Sequence, residues 1–124
     1  MIIYGVVHLK PLPGSSGNYL SLDEIIESAQ EDINNLVFGG VDGIIIENFG
    51  DTPFVKDDIS KRTLANFTTV VENLEYDRDI KVGINVLRND GIAALSIAEA
   101  TKADFVRINA VSYTHLRAHE TCTN

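Results

Sequence analysis

The chain alternates between short apolar runs and longer segments in which apolar residues recur every three or four positions. The short runs are rich in Ile and Val and predict four strands, at residues 2–9, 43–46, 81–86 and 105–109. The three segments between them predict helices with one apolar face. Strands that alternate with helices are typical of a parallel sheet with helical crossovers, so the sequence predicts an α/β fold.

Local signals mark where the helices begin and end. Ser21 and Glu24 have the spacing of a capping box, in which each side chain accepts a hydrogen bond from the backbone of the other residue. Such a cap contributes about 1 kcal/mol to stability. Gly39 and Gly40 are expected to end the first helix, and Ser60 is the expected N-cap of the second.

Each predicted strand is apolar through its body and becomes polar at its C-terminal end. The polar residues are His8 and Lys10, Glu47 and Asn48, Asn85 and Arg88, and Arg107 and Asn109. Ligands of parallel α/β proteins bind at the carboxyl ends of the strands, so this pattern predicts a functional rim. The alternative is that these residues only mark where strands leave the core. Four successive pairs favour the rim, because half-buried Glu, Arg and His are costly unless they pair or bind something.

Glu47, Asp51 and His8 are the candidate catalytic residues. A carboxylate at a strand end can act as a general acid or base, or can hold a divalent cation. Glu47 has a second interpretation, an ion pair with Arg88 or Arg107 across the rim. His8 is either an acid–base group or simply hydrogen-bonded at the end of its strand. The pattern identifies neither a metal nor a cofactor.

Five further residues are candidate ligand-binding residues: Asn48, Asn85, Arg88, Arg107 and Asn109. The Asn amides both donate and accept, which suits the hydroxyls of a sugar-like ligand. The Arg guanidinium groups can hold a phosphate or carboxylate through two hydrogen bonds. Asp90, which follows Asn89 and precedes Gly91, is expected to be a turn and helix cap instead.

Four segments carry a resemblance to a known family. They read GVVHLKPLPG at residues 5–14, DGIIIENFGDTPF at 42–54, GINVLRND at 83–90 and FVRIN at 105–109. These segments resemble the signature segments of the BtpA/SgcQ family, and the similarity extends to Ala110. The resemblance implies the N-terminal part, about four βα units, of a TIM-type (βα)8 barrel related to the ribulose-phosphate-binding barrels.

The resemblance implies two alternative functions for the intact protein. One is a barrel that binds a small sugar-phosphate or nucleoside-like ligand, with or without catalysis. The other is a non-catalytic biogenesis or assembly factor. The family's cyanobacterial member is associated with photosystem I accumulation and peripheral thylakoid attachment, whereas other members accompany sugar-uptake genes. A complete barrel takes roughly 250 residues, so this chain of 124 residues is expected to be inactive on its own.

Composition limits the remaining classes of function. The chain is 44% hydrophobic and 23% charged, as in an ordinary globular domain. Its formal net charge of -8 argues against a nucleic-acid binder. We expect a cytoplasmic protein, because no apolar run approaches the ~20 residues of a membrane-spanning helix. The single cysteine, Cys122, cannot form an internal disulfide. The sequence contains no Walker loop, dinucleotide fingerprint, CxxC or HExxH motif.

Residues 111–124 depart from the preceding pattern. They resemble tails at the ends of unrelated gene models, where a read runs into adapter or vector sequence. We therefore expect a barrel domain at residues 1–110 and a tail outside the fold at 111–124. His115 and His119 are four residues apart, a spacing that would place them on one face of a helix. We expect no metal site there, because this segment is not expected to be part of the fold. A four-stranded part of a barrel leaves an open edge and an apolar face, so we expect an oligomer or a poorly soluble chain.

Overall fold

The computed structural model describes residues 1–50 and 59–108, in which strands and helices alternate as predicted. The elements are β1 (Tyr4–His8), α1 (Leu22–Phe38), β2 (Gly43–Glu47), α2 (Lys61–Glu72), β3 (Lys81–Asn85), α3 (Gly91–Thr101) and β4 (Phe105–Val106). The last strand is shorter than the predicted residues 105–109. Its paired residues are Phe105 and Val106, which lie beside Gly83 and Ile84 of β3.

The four strands form one parallel sheet in the order β1-β2-β3-β4. In its register, Tyr4 lies beside Gly43, and Gly43 lies beside Lys81. Gly83 lies beside Phe105 on the last strand. Spatial order follows chain order, so each helix connects two neighbouring strands. The fold is therefore α/β with a parallel sheet, as the sequence predicts.

The helices begin and end at the residues that carry the local signals. In the capping box, the Ser21 backbone N–H donates to Glu24 over 2.9 Å, and the Glu24 backbone N–H donates to the Ser21 hydroxyl over 3.2 Å. Ser60 caps α2, and Gly40 follows the end of α1 with a φ of 97°. Asp90 caps α3 by accepting from the Ala93 backbone N–H over 2.9 Å. These predictions are confirmed.

One face of the sheet packs against the helices and forms the hydrophobic core. Alternate strand residues enter this core from β1, β2 and β3, among them Val7, Ile44, Ile46, Val82 and Ile84. The helices contribute Ile25, Ile33, Phe67, Val70 and Ile97, all of them fully buried. Gly5 allows α1 to approach β1 closely, because a Cβ there would lie 2.8 Å from the Leu36 side chain.

The other face of the sheet is apolar and partly open. The rings of Tyr4 and Phe105 meet edge to face with centroids 5.7 Å apart, although their strands lie at opposite edges. They meet above two glycines of the central strands. A Cβ on Gly43 would lie 2.6 Å from the Tyr4 ring, and one on Gly83 would overlap the Phe105 ring. Tyr4 and Val6 remain 40% and 39% exposed, so a large apolar surface faces solvent.

Candidate functional site

Four of the predicted site residues lie in one row across the C-terminal ends of the strands. His8 is level with Glu47, and Glu47 is level with Asn85. The Arg107 backbone N–H donates to Ile84 over 2.9 Å, which places Arg107 level with Asn85. Strand side chains alternate between faces, so the four share the face opposite the helices. We call His8, Glu47, Asn85 and Arg107 the rim row.

Glu47 is the centre of the rim row. Its carboxylate is only 5% exposed, and burying a charge is costly unless it is paired. Oε1 lies 3.1 Å from Nε2 of His8. Oε2 accepts from Nδ2 of Asn85 over 2.9 Å and from Nη2 of Arg107 over 2.7 Å. Three strands thus supply donors to one carboxylate, and the expected ion pair forms with Arg107 and not with Arg88.

His8 is held from two sides. Nε2 faces Glu47, and the imidazole ring stacks on Phe49 with centroids 4.3 Å apart and an interplanar angle of 19°. The side chain is 50% exposed, so the ring remains accessible from solvent. A carboxylate beside one nitrogen of a solvent-accessible imidazole is an arrangement suited to acid–base chemistry. Phe49 was not among the predicted residues, although an aromatic residue directly after a polar strand end is a usable signal.

Asn85 is fully buried and only half satisfied. Its Nδ2 donates to Glu47, but Oδ1 has no hydrogen-bond partner among the described residues. The amide cannot be reversed, because Oδ1 would then face the Glu47 carboxylate. An unpaired buried acceptor costs about 1–3 kcal/mol. Such groups are uncommon in native proteins and are typical of sites that receive a ligand or an ordered water.

Asn48 holds two loops together. Its Nδ2 donates to the Leu87 carbonyl over 3.2 Å, and its Oδ1 accepts from the Leu87 backbone N–H over 2.7 Å. The loop after β2 is thereby fixed to the loop after β3. Both ends of the amide are engaged by the backbone, so Asn48 supports the rim. Its role in binding a ligand stays a prediction.

The other predicted residues lie apart from the rim row. Arg88 is exposed in the loop after β3 and is not in contact with Glu47. Asp51 and Asn109 lie outside the described residues. Asp90 uses its second carboxylate oxygen to accept from the Ile59 backbone N–H over 2.7 Å, which agrees with its expected structural role.

The described part of the chain contains no cluster of three or more His, Cys, Asp or Glu side chains that could hold a metal ion. Within the rim row, Glu47 is the only carboxylate; its Oε2 accepts from Asn85 and Arg107, and its Oε1 lies 3.1 Å from Nε2 of His8. The divalent cation that the sequence allows at Glu47 and Asp51 stays a prediction. Also within this part of the chain, none of the helices combines the length and the apolar character needed to cross a membrane.

An open groove of about 500 Å³ lies away from the rim row, between the end of α1 and the loop after α2. Its lining includes Phe38, Tyr76 and the acidic residues Glu75 and Asp77, but no predicted site residue. Burial raises the pKa of Tyr76 above its ordinary value, and nearby carboxylates raise it further. Those carboxylates belong to Asp104 and Glu72.

Comparison with known proteins places the chain in a family. An uncharacterised protein of Archaeoglobus fulgidus is 46% identical over 112 residues, which cover 90% of this chain and 45% of the relative. The photosystem I biogenesis protein BtpA of a Synechocystis strain is 44% identical over 110 residues, covering 89% of this chain and 38% of that protein. The chain thus spans less than half the length of these relatives. No solved structure matches it. The model of the BtpA family matches residues 1–120, and the chain belongs to that family.

Proposed function

We propose that the rim row binds a small sugar-phosphate or nucleoside-like ligand in the intact protein. The observation that carries this proposal is the buried Glu47 carboxylate, which contacts side chains from three strand ends and lies beside Oδ1 of Asn85, an acceptor with no hydrogen-bond partner among the described residues. A purely structural network has no reason to leave a buried acceptor unpaired. Arg107 keeps guanidinium N–H groups beyond the one on Glu47, and these suit an anionic group.

We also propose that the sheet is the first part of a TIM-type (βα)8 barrel. Two features support this. The strands are parallel and follow one another in chain order, and the face opposite the helices is apolar, as a barrel interior is. The relatives are more than twice as long as the matched region, which leaves room for the remaining βα units. In such barrels the phosphate site is usually built after strands 7 and 8.

In the favoured form of the proposal the intact protein is an enzyme. His8 moves a proton to or from the substrate, and Glu47 orients the ring. The Glu47→Gln substitution in the intact protein should then abolish turnover of a sugar phosphate without unfolding the chain. Glu99→Gln, on the exposed side of α3, is the matched control and should leave turnover unchanged.

Binding can be tested directly on the intact protein. D-ribose 5-phosphate added to the 15N-labelled protein should shift the backbone resonances of the rim row and leave those of the groove at Tyr76 unchanged. Glu47→Gln should weaken this binding, because it removes the charge that positions Arg107 and His8. The absence of shifts at the rim row up to about 10 mM ligand would refute the proposal.

A second candidate function is that of a non-catalytic assembly factor. It is favoured by the name of the Synechocystis relative, a photosystem I biogenesis protein that is 44% identical to this chain. In this case the cytoplasmic protein would associate peripherally with a membrane, and the barrel would serve as a scaffold. The two candidates differ in a complementation experiment with the intact protein. A Glu47→Gln variant that still restores the phenotype supports the assembly factor, and one that fails while folded supports the enzyme.

We further propose that the fold ends near Ala110 in this sequence and that residues 111–124 are not part of it. Resequencing the gene past the codon for Ala110 tests this proposal. We expect further βα units in place of the present tail. Recovery of the same tail in independent genomic reads would contradict the proposal.

A further inference from the structure

Arg107 reaches Glu47 across an intervening strand. β3 lies between β2 and β4, and Asn85 of β3 is level with both residues. Neighbouring strands are about 4.8 Å apart, so the ion pair bridges backbones separated by about 10 Å. The Arg107 side chain must therefore pass over the position of Asn85 to donate to Glu47 over 2.7 Å.

This path accounts for part of the burial of Asn85. The face opposite the helices is buried along the central strands, where Ile45 is 8% exposed and Asn85 is fully buried, and is more open at the edge strand, where Val6 is 39% exposed. The Arg107 side chain is 42% exposed and adds an outer layer where it crosses above Asn85. Within the rim row, the charge of Arg107 is thus neutralised by Glu47. Oδ1 of Asn85, which has no hydrogen-bond partner among the described residues, lies beneath the Arg107 side chain.

We propose that Arg107 is a movable cover over Asn85 and that the ligand of the rim row is a hydroxylated anion. The phosphate or carboxylate of the ligand draws the guanidinium away from Glu47, and a hydroxyl of the same molecule then donates to Oδ1 of Asn85. This inference rests on the proposed ligand site and specifies which group of the ligand meets which side chain.

The chemistry of the row favours this pair of groups. Once Arg107 moves, Glu47 still accepts from Asn85 and still contacts Nε2 of His8, so its buried charge keeps two partners. The Arg107 side chain is 42% exposed, so an anion can approach it while it is still paired with Glu47. A hydroxyl suits Oδ1 because it donates to this acceptor and can accept from the donors around it. An N–H group could only donate.

The cover predicts that the two ligand groups act together. Inorganic sulfate can engage Arg107 but has no O–H group to donate to Oδ1. D-ribose offers hydroxyls but meets a covered Asn85. D-ribose 5-phosphate carries both groups, so it should bind about tenfold more tightly than sulfate and far more tightly than ribose.

Titrations of the intact protein with these three probes, followed by NMR, test the inference. Asn85→Leu keeps the volume but removes both the acceptor and the Nδ2 donor to Glu47, so it should weaken D-ribose 5-phosphate binding about tenfold more than it weakens sulfate binding. Arg107→Gln should lose sulfate binding and bind D-ribose more tightly than the wild type, because the cover is shortened and uncharged. Circular dichroism checks that each variant is folded.

A second readout needs no substitution. The 13Cγ resonance of Asn85 reports on hydrogen bonding at Oδ1, and it should move with D-ribose 5-phosphate but much less with sulfate. If this resonance does not shift while D-ribose 5-phosphate binds at the rim row, the proposal that Arg107 covers Asn85 is wrong, but the proposed ligand site is supported. The same conclusion follows if Asn85→Leu weakens D-ribose 5-phosphate and sulfate binding equally. If none of the probes reaches the row at about 10 mM, both proposals fail.

Discussion

Replacing Glu47 by Gln tests how far the rim row stabilises the fold. The substitution keeps the shape of the side chain and removes its charge. The amide oxygen can still accept from Asn85 and Arg107, while the new NH2 group faces Nε2 of His8, which can change tautomer and accept. Hydrogen bonds to a charged group contribute about 1.5–3 kcal/mol, and neutral ones about 0.5–1.5 kcal/mol.

The magnitude follows from which partners are shielded from solvent. The Asn85 bond is buried and should lose about 1 kcal/mol when the charge is removed. The Arg107 side chain is 42% exposed, so solvent screens the ion pair, and the loss from this contact should be about 0.5 kcal/mol. The free energy of unfolding should therefore fall by about 1.5 kcal/mol.

Urea unfolding at neutral pH, followed by circular dichroism, measures this difference. The loss should shrink at about 1 M salt, because the exposed part of the ion pair is screened. Glu99→Gln, at an exposed position of α3, should change stability by less than about 0.5 kcal/mol. A Glu47→Gln variant as stable as the wild type at low salt would refute this reasoning, since the three contacts would then contribute nothing net.

Three further predictions concern the rest of the fold. Gly83→Ala should lower the free energy of unfolding in urea by about 1–3 kcal/mol, because the added Cβ overlaps the Phe105 ring. Gly17→Ala is the control and should leave this free energy nearly unchanged, because its Cβ would lie 3.6 Å from Pro11. The pKa of Tyr76 is higher in the folded chain than in the unfolded chain, so as pH rises the phenol loses its proton first in the unfolded chain. The free energy of unfolding should therefore fall as pH rises above about 10. Tyr76→Phe should make this fall shallower, and an unchanged pH profile would contradict the assignment. The open apolar face should make the chain oligomeric in light scattering, and a monomer at high concentration would count against this.

The order of the elements could be predicted from sequence because its determinants are local. Ser21 and Glu24 are three residues apart, and Ser60 and Asp90 each cap the helix that follows directly. Such signals need no knowledge of the rest of the chain. The parallel sheet follows from the alternation of elements, since a helix between two strands returns the chain to the same end of the sheet.

The position of the rim was also predictable, because the carboxyl ends of parallel strands meet at one edge. The sequence alone could not tell which polar residues of that edge meet. Glu47 and Asn48 are adjacent in sequence, yet one enters the rim row and the other holds the Leu87 backbone. Successive strand residues face opposite ways, and the direction taken after a strand ends depends on the loop.

The sequence by itself determined the α/β pattern, the helix caps and the set of polar strand ends. Only the tertiary structure decided that Glu47 pairs with Arg107 and not with Arg88, because the choice depends on strand order and register. It also decided that Asn85 lies beneath the path of Arg107 with an unpaired acceptor. That feature requires three strands at one level, and contacts between residues 60 positions apart leave no local trace in the sequence.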